Sequence, residues 1–268
     1  MLVFNNTHIT FQGATGFPIY TIGNGNGIDF IISSGSSFTQ GASLDYFQFA
    51  ANATADISGT LIIEDGTFSL NSNGVVITVS GNLENHATIS GANTTKLKFL
   101  AGSFYDHAQN GGSVPDVSWA ASSTCVITGT TNSSPGNLDQ NFGNFTWNCT
   151  AQSTGTIGAL TGGSIAGDFN ILSTGASSTA RLESNTGTLN VGGNLNLSGG
   201  NLRIGWNQAR TITVAGNVNI SGGTLLMTTG NNDGTLNIAG DFNFTGGTIT
   251  ETGSGDGFIV FNGTTEQQ

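Results

Sequence analysis

The residues that could do chemistry in this chain are few and scattered. Glu64-Asp65 is the only adjacent acidic pair. Glycoside hydrolysis needs two carboxylates converging across a sugar bond. Asp168 and Asp241 recur in one repeated phrase, but Asn fills the same place at 144, 194 and 217. Alternation of Asp with Asn marks a turn position rather than a catalytic acid, because both tolerate corner geometry. A polysaccharide lyase wants a basic residue near a cation site. Lys96 and Lys98 flank Leu97 in an alternating stretch, which reads as a solvated strand face. Arg203-Ile-Gly-Trp-Asn-Gln-Ala-Arg210 places two arginines around Trp206. Such a segment could stack on a sugar, although a Trp closing a loop is the commoner use.

His8, His86 and His107 lie far apart and make no metal-ligand spacing. Tyr105-Asp-His107, with Trp119 nearby, is the best ligand-binding candidate; the alternative is a polar network that pins an irregular loop. Gly25-Asn-Gly-Ile-Asp29 echoes a calcium-binding β-roll phrase, but one copy cannot form stacked sites. No phosphate-binding glycine loop and no nucleophile elbow occurs, and no cofactor is implied.

What must position these residues is a repeat. Val191-Gly-Gly-Asn-Leu-Asn-Leu-Ser-Gly-Gly200 returns as Val214-Ala-Gly-Asn-Val-Asn-Ile-Ser-Gly-Gly223 and as Ile238-Ala-Gly-Asp-Phe-Asn-Phe-Thr-Gly-Gly247. Ile165-Ala-Gly-Asp-Phe-Asn-Ile171 is an earlier copy, and Phe142-Gly-Asn-Phe-Thr-Trp147 a fainter one. The Gly before Asn or Asp stands at 143, 167, 193, 216 and 240, giving spacings of 24, 26, 23 and 24. A period of this size means a solenoid or an array.

Within each copy, apolar and polar residues alternate, as in half-buried strands. Leu189, Val191, Leu195, Leu197, Ile212, Val214, Val218, Ile220, Leu236, Ile238, Phe242 and Phe244 are expected to face in. Thr188, Asn190, Thr211, Thr213, Thr235 and Asn237 are expected to face out as a two-wide array. Such a flat array resembles ice-binding surfaces and could dock on crystalline polysaccharide; β-propensity with solubility is the plainer reading. A third strand starts at Asn201, Thr224 and Thr248. The expected fold is therefore all-β: a right-handed parallel β-helix, with three short strands per coil of about 24 residues. A left-handed solenoid would show a hexapeptide rhythm, which is absent.

The sequence reads as one β-helix over 1–268, cut from a longer chain. Coils over 1–101 are less regular, 102–134 is an irregular coil with a protruding loop, and 135–268 holds the regular coils. Gly makes up 42 of 268 residues and charged residues only 8 %, far below the usual quarter. The formal charge of −11, with five Lys and Arg, argues against nucleic acid and anionic membrane surfaces. No apolar run is long enough for a membrane span, and the N-terminal residues lack signal-peptide features. Open solenoid ends expose strand edges, so flanking domains or a partner are expected to cover them.

Cys125 and Cys149 are the only cysteines, 24 residues apart, which is one coil. Stacking would set them one above the other, near the separation a disulfide needs. A disulfide between coils and an oxidising compartment is one expectation; two reduced cysteines in a core ladder is the other.

Ser123-Thr-Cys-Val-Ile-Thr-Gly129, Gly136-Asn-Leu-Asp-Gln-Asn-Phe-Gly-Asn-Phe-Thr-Trp-Asn-Cys149 and Phe261-Asn-Gly-Thr264 resemble segments of large secreted proteins of Bacteroidetes-type bacteria. Gly102-Ser-Phe-Tyr-Asp-His107, followed by Val114-Pro115 and Trp119, is similar to them too. The resemblance covers the chain from about residue 60 onward. It implies a cell-surface or secreted β-helix, with export by the type IX route through a separate C-terminal sorting domain. The function expected is non-enzymatic: an extracellular, adhesin-like structural segment with polysaccharide or cell-surface glycan as its partner. A carbohydrate-active β-helix enzyme and a pure spacer are the alternatives.

Overall fold

The computed structural model describes residues 1–13, 19–153, 156–160, 162–182 and 187–268, with the side chains of 156, 157, 159 and 182 not described. The fold is all-β: short parallel strands stack as a β-solenoid of about 23 residues per turn, three strands to a regular turn. No helix occurs among the described residues. The chain divides into two compact units, Met1–Cys125 and Val126–Gln268.

In the first unit, one inward column runs Phe4, Ile32, Ile57, Val79, Phe99 and Trp119, each in register with the next. The steps between them are 28, 25, 22, 20 and 20 residues. A second sheet stacks Ile9, Phe38, Leu61, Leu83 and Tyr105. A third stacks Tyr20 on Phe47 and Phe47 on Phe68, with ring planes within 11° and 3°. Strand alternation sends these residues inward, and stacking puts like on like. Each such burial contributes roughly 1.5–3 kcal/mol, and only because a neighbouring coil supplies the other half of the contact.

The second unit is more regular. Phe142, Ile165, Val191, Val214, Ile238 and Phe261 pair at steps of 23, 26, 23, 24 and 23. Phe145, Phe169, Leu195, Val218 and Phe242 form a second column, and Ala180, Leu202, Leu225 and Ile249 a third. Phe242 and Phe244 depart from the inward expectation. Phe242 is half-buried and Phe244 is 48 % exposed, because the strand Phe242–Phe244 pairs only with Val218–Ile220.

The repeated phrase has two kinds of glycine. Gly200, Gly223 and Gly247 have φ of 69°, 71° and 84° and need the freedom of a missing Cβ. Gly167, Gly193, Gly216 and Gly240 do not adopt positive φ. They are small because a Cβ there would strike the Asn or Asp side chain of the preceding coil: Asn144, Asp168, Asn194 and Asn217 respectively. Corner geometry is thus not what selects Asn or Asp after them.

The expected disulfide is not found: Cys125 and Cys149 are both buried and unbridged. The Cys149 Sγ donates to the Ile127 carbonyl at 3.3 Å, and the Ser153 N–H to the Thr131 carbonyl at 2.8 Å; each bond spans 22 residues. Burial, followed by the Asp106 charge, pushes the Cys125 thiol well above its ordinary value.

Candidate functional site

Tyr105 and His107 alternate with Asp106 on the strand Phe104–His107, so both face the interior. His107 sits over Asn85 in a column that also holds Gln40. Asn85 Nδ2 donates to the Tyr105 hydroxyl at 3.0 Å, and that hydroxyl lies 3.2 Å from His107 Nδ1. His107 Nε2 is 2.7 Å from the Gly111 carbonyl, which only accepts. The proton therefore belongs on Nε2, Nδ1 accepts from Tyr105, and the chain of bonds closes. Trp119 stacks on Phe99 at 4.7 Å and meets Tyr105 edge-on at 5.9 Å.

Tyr105, His107 and Trp119 do come together, as the sequence led one to expect. Tyr105 and His107 are 0 % exposed and their polar atoms are satisfied within the fold. Burial pushes the phenol well above 10.0 and the imidazole below 6.5, the latter partly opposed by the Gly111 bond. The network pins the segment 108–117, whose Val114 and Val117 are buried.

Several other sequence candidates bond within the fold. Asp65 accepts from the N–H groups of Gly66 and Ser43. Asp29, in the lone β-roll-like phrase, accepts from Gly25 and Thr54 N–H groups at 2.6 and 2.9 Å. Lys96 donates to the Leu70 carbonyl at 2.7 Å. Lys98 lies on the strand Leu97–Phe99, between its two buried residues. His8 bonds Ser37, and His86 pairs with Glu84 at the surface. Among the described residues, no group of three or more His, Cys, Asp or Glu is placed to hold a metal.

The corner Asn and Asp form a ladder. Asn144 Oδ1 accepts from Asp168 N, Asp168 Oδ1 from Asn194 N, Asn194 Oδ1 from Asn217 N, and Asn217 Oδ1 from Asp241 N, at 2.7–2.9 Å. Asn and Asp interchange because both carry that oxygen. A second ladder runs outside: Asn170, Asn196, Asn219 and Asn243 each donate Nδ2 to the residue one coil back, ending on Thr146. The Thr188/Asn190, Thr211/Thr213 and Thr235/Asn237 pairs are in register as an outward array, with Asn237 donating to Thr213.

Two juxtapositions escaped sequence reasoning. Glu84 pairs in register with Asp106, in a shallow groove with Thr60, Asn82 and half-exposed Phe104. Arg181 pairs with Arg203, and both guanidinium groups lie over the Trp206 ring, at 5.1 and 4.9 Å. Each pair is 22 residues apart and sits outside the repeated phrase, so spacing alone gave no signal. No protein-family model matches the chain, and no curated protein or solved structure matches it.

Proposed function

We propose that this chain is a non-enzymatic structural segment of a secreted or cell-surface bacterial protein, an extracellular, adhesin-like β-solenoid. The observation that carries this is the pair of Asn/Asp ladders. The polar side chains most repeated in the sequence bond from coil to coil. They serve the stack instead of converging on a point where a substrate could react. Scarce charge and the resemblance to secreted β-helix proteins support the extracellular setting, and glycan is the partner class of an adhesin.

The test is incubation with a panel of neutral and acidic polysaccharides, following reducing ends and unsaturated products. No turnover is expected. Sustained product release would overturn the structural role. A glycan array separates an adhesin, which binds, from a pure spacer, which is silent.

One observation favours a second role, a carbohydrate-active enzyme. Glu84 and Asp106 lie in register on neighbouring strands and line one groove, and a glycosidase needs two carboxylates in one cleft. Under that role, Glu84→Gln and Asp106→Asn would each abolish any product release found above.

A further inference from the structure

Arg203 is an outward residue that does not reach water. Ala180, Leu202 and Ile204 are buried in the core, so alternation turns Arg181 and Arg203 to the outer face of their sheet. Yet Arg203 is 7 % exposed. Its cover is Trp206, 41 % exposed, on the turn between the strands Asn201–Gly205 and Arg210–Val214.

Among the described residues, only one guanidinium nitrogen of Arg203 has an acceptor: Nη1 donates to Thr229 Oγ1 at 3.0 Å. Nε and Nη2 are buried with none among them. Contact with the indole ring supplies no lone pair to these in-plane N–H groups. Nε–H and Nη2–H point the same way along one edge of the guanidinium plane. That edge is the fork that grips a carboxylate through two parallel bonds. Arg181 adds a second positive charge beside it. The chain carries five Lys and Arg against 16 Asp and Glu, yet two of the five stand side by side. Burial and then Arg181 bring the Arg203 guanidinium down to about 10.

We propose that Arg203, with Arg181 beside it and Trp206 as a movable cover, is a binding site for a carboxylate-bearing ligand. The carboxylate occupies the Nε–Nη2 fork, and the indole turns aside to admit it. A uronic acid supplies such a carboxylate on a ring that can lie against the displaced indole. A simple organic acid supplies the group alone. The site stands whether or not the chain acts as a stalk.

The test is calorimetric titration at low ionic strength with sodium glucuronate, sodium acetate and glucose. Glucuronate should bind saturably and glucose should not. Arg203→Lys, which keeps the charge and loses the fork, should weaken glucuronate at least tenfold. Arg181→Gln, at a half-exposed position, should weaken it several-fold. If Arg203→Lys fails to fold, the Arg203 Nε–H signal of the wild-type protein by NMR gives the same answer, since it must move on adding glucuronate. Acetate binding as tightly as glucuronate supports the fork and assigns recognition to the carboxylate alone; weaker acetate binding adds the sugar ring. Absence of saturable binding by both acids, unchanged affinity in Arg203→Lys, or glucose binding equal to glucuronate would overturn the site.

Discussion

Asp168 separates a hydrogen-bond role from a turn-geometry role within one side chain. Its Oδ1 accepts the Asn194 N–H at 2.7 Å, while its own N–H donates to Asn144 Oδ1 at 2.9 Å. Asp168→Ala keeps the second bond and removes the first. It strands a part-buried N–H whose acceptor was a carboxylate. Bonds to charged groups contribute about 1.5–3 kcal/mol, and partial exposure favours the lower end, so the expected loss is about 2 kcal/mol. Asp168→Asn keeps an oxygen at the same place and should cost no more than about 1 kcal/mol, the difference between a charged and a neutral acceptor. In a unit of this size, these losses correspond to falls in Tm of about 4–8 °C and about 2–4 °C. Urea titration followed by far-ultraviolet circular dichroism would rank the three proteins. Equal losses in Ala and Asn, or no loss in Ala, would refute the ladder as the reason for Asp or Asn at this corner.

Asn194→Asp sets a carboxylate directly above Asp168, where the ladder now places a neutral amide. It should destabilise at neutral pH and recover on acidification, because like charges raise the folded-state pKa and protonation removes the repulsion; urea midpoints across pH check it. His107 has a folded pKa depressed below 6.5 by burial. The unfolded chain therefore binds the proton more readily, and the stability of Met1–Cys125 should fall as pH drops below 6.5 towards the depressed value. In a folded His107→Gln variant, that part of the pH dependence should vanish. Both cysteines should resist iodoacetamide in the native protein and both be alkylated in denaturant without reductant, as read by intact mass; a protein unlabelled in denaturant would show that the two are bridged.

Much of the second unit was legible because its coils repeat both a phrase and a length. The inward assignments of Leu189, Val191, Leu195, Leu197, Ile212, Val214, Leu236 and Ile238 hold, all at 2 % exposure or less. Phe242 and Phe244 are the exceptions, because their strand pairs on one side only; the contacts that escaped notice lie where no phrase marks the coil. The 22-residue partners Glu84/Asp106 and Arg181/Arg203, and the 20-residue pair Asn85/Tyr105, fall where coil length had no visible marker. His107 shows a different limit. Alternation places it inward, but only the neighbouring coil's Asn85 and the returning Gly111 carbonyl explain how a polar ring survives there. The phrase itself was found but explained differently: its Gly–Asn step is a contact between coils, visible only once two coils are stacked.

That contact makes the coil an exchangeable part. Each rung asks only that a carbonyl oxygen on Asn or Asp meet the main-chain N–H of whatever coil lies next. Excising residues 194–216, one whole coil, would bring Asn217 N–H onto Asp168 Oδ1 and restore the same bond with a different partner. The rungs already hold across steps of 24, 26, 23 and 24 residues, so the segments between strands absorb small changes in length. Such a chain can therefore change length by whole coils, and reach becomes a trait selection can adjust without redesigning the core.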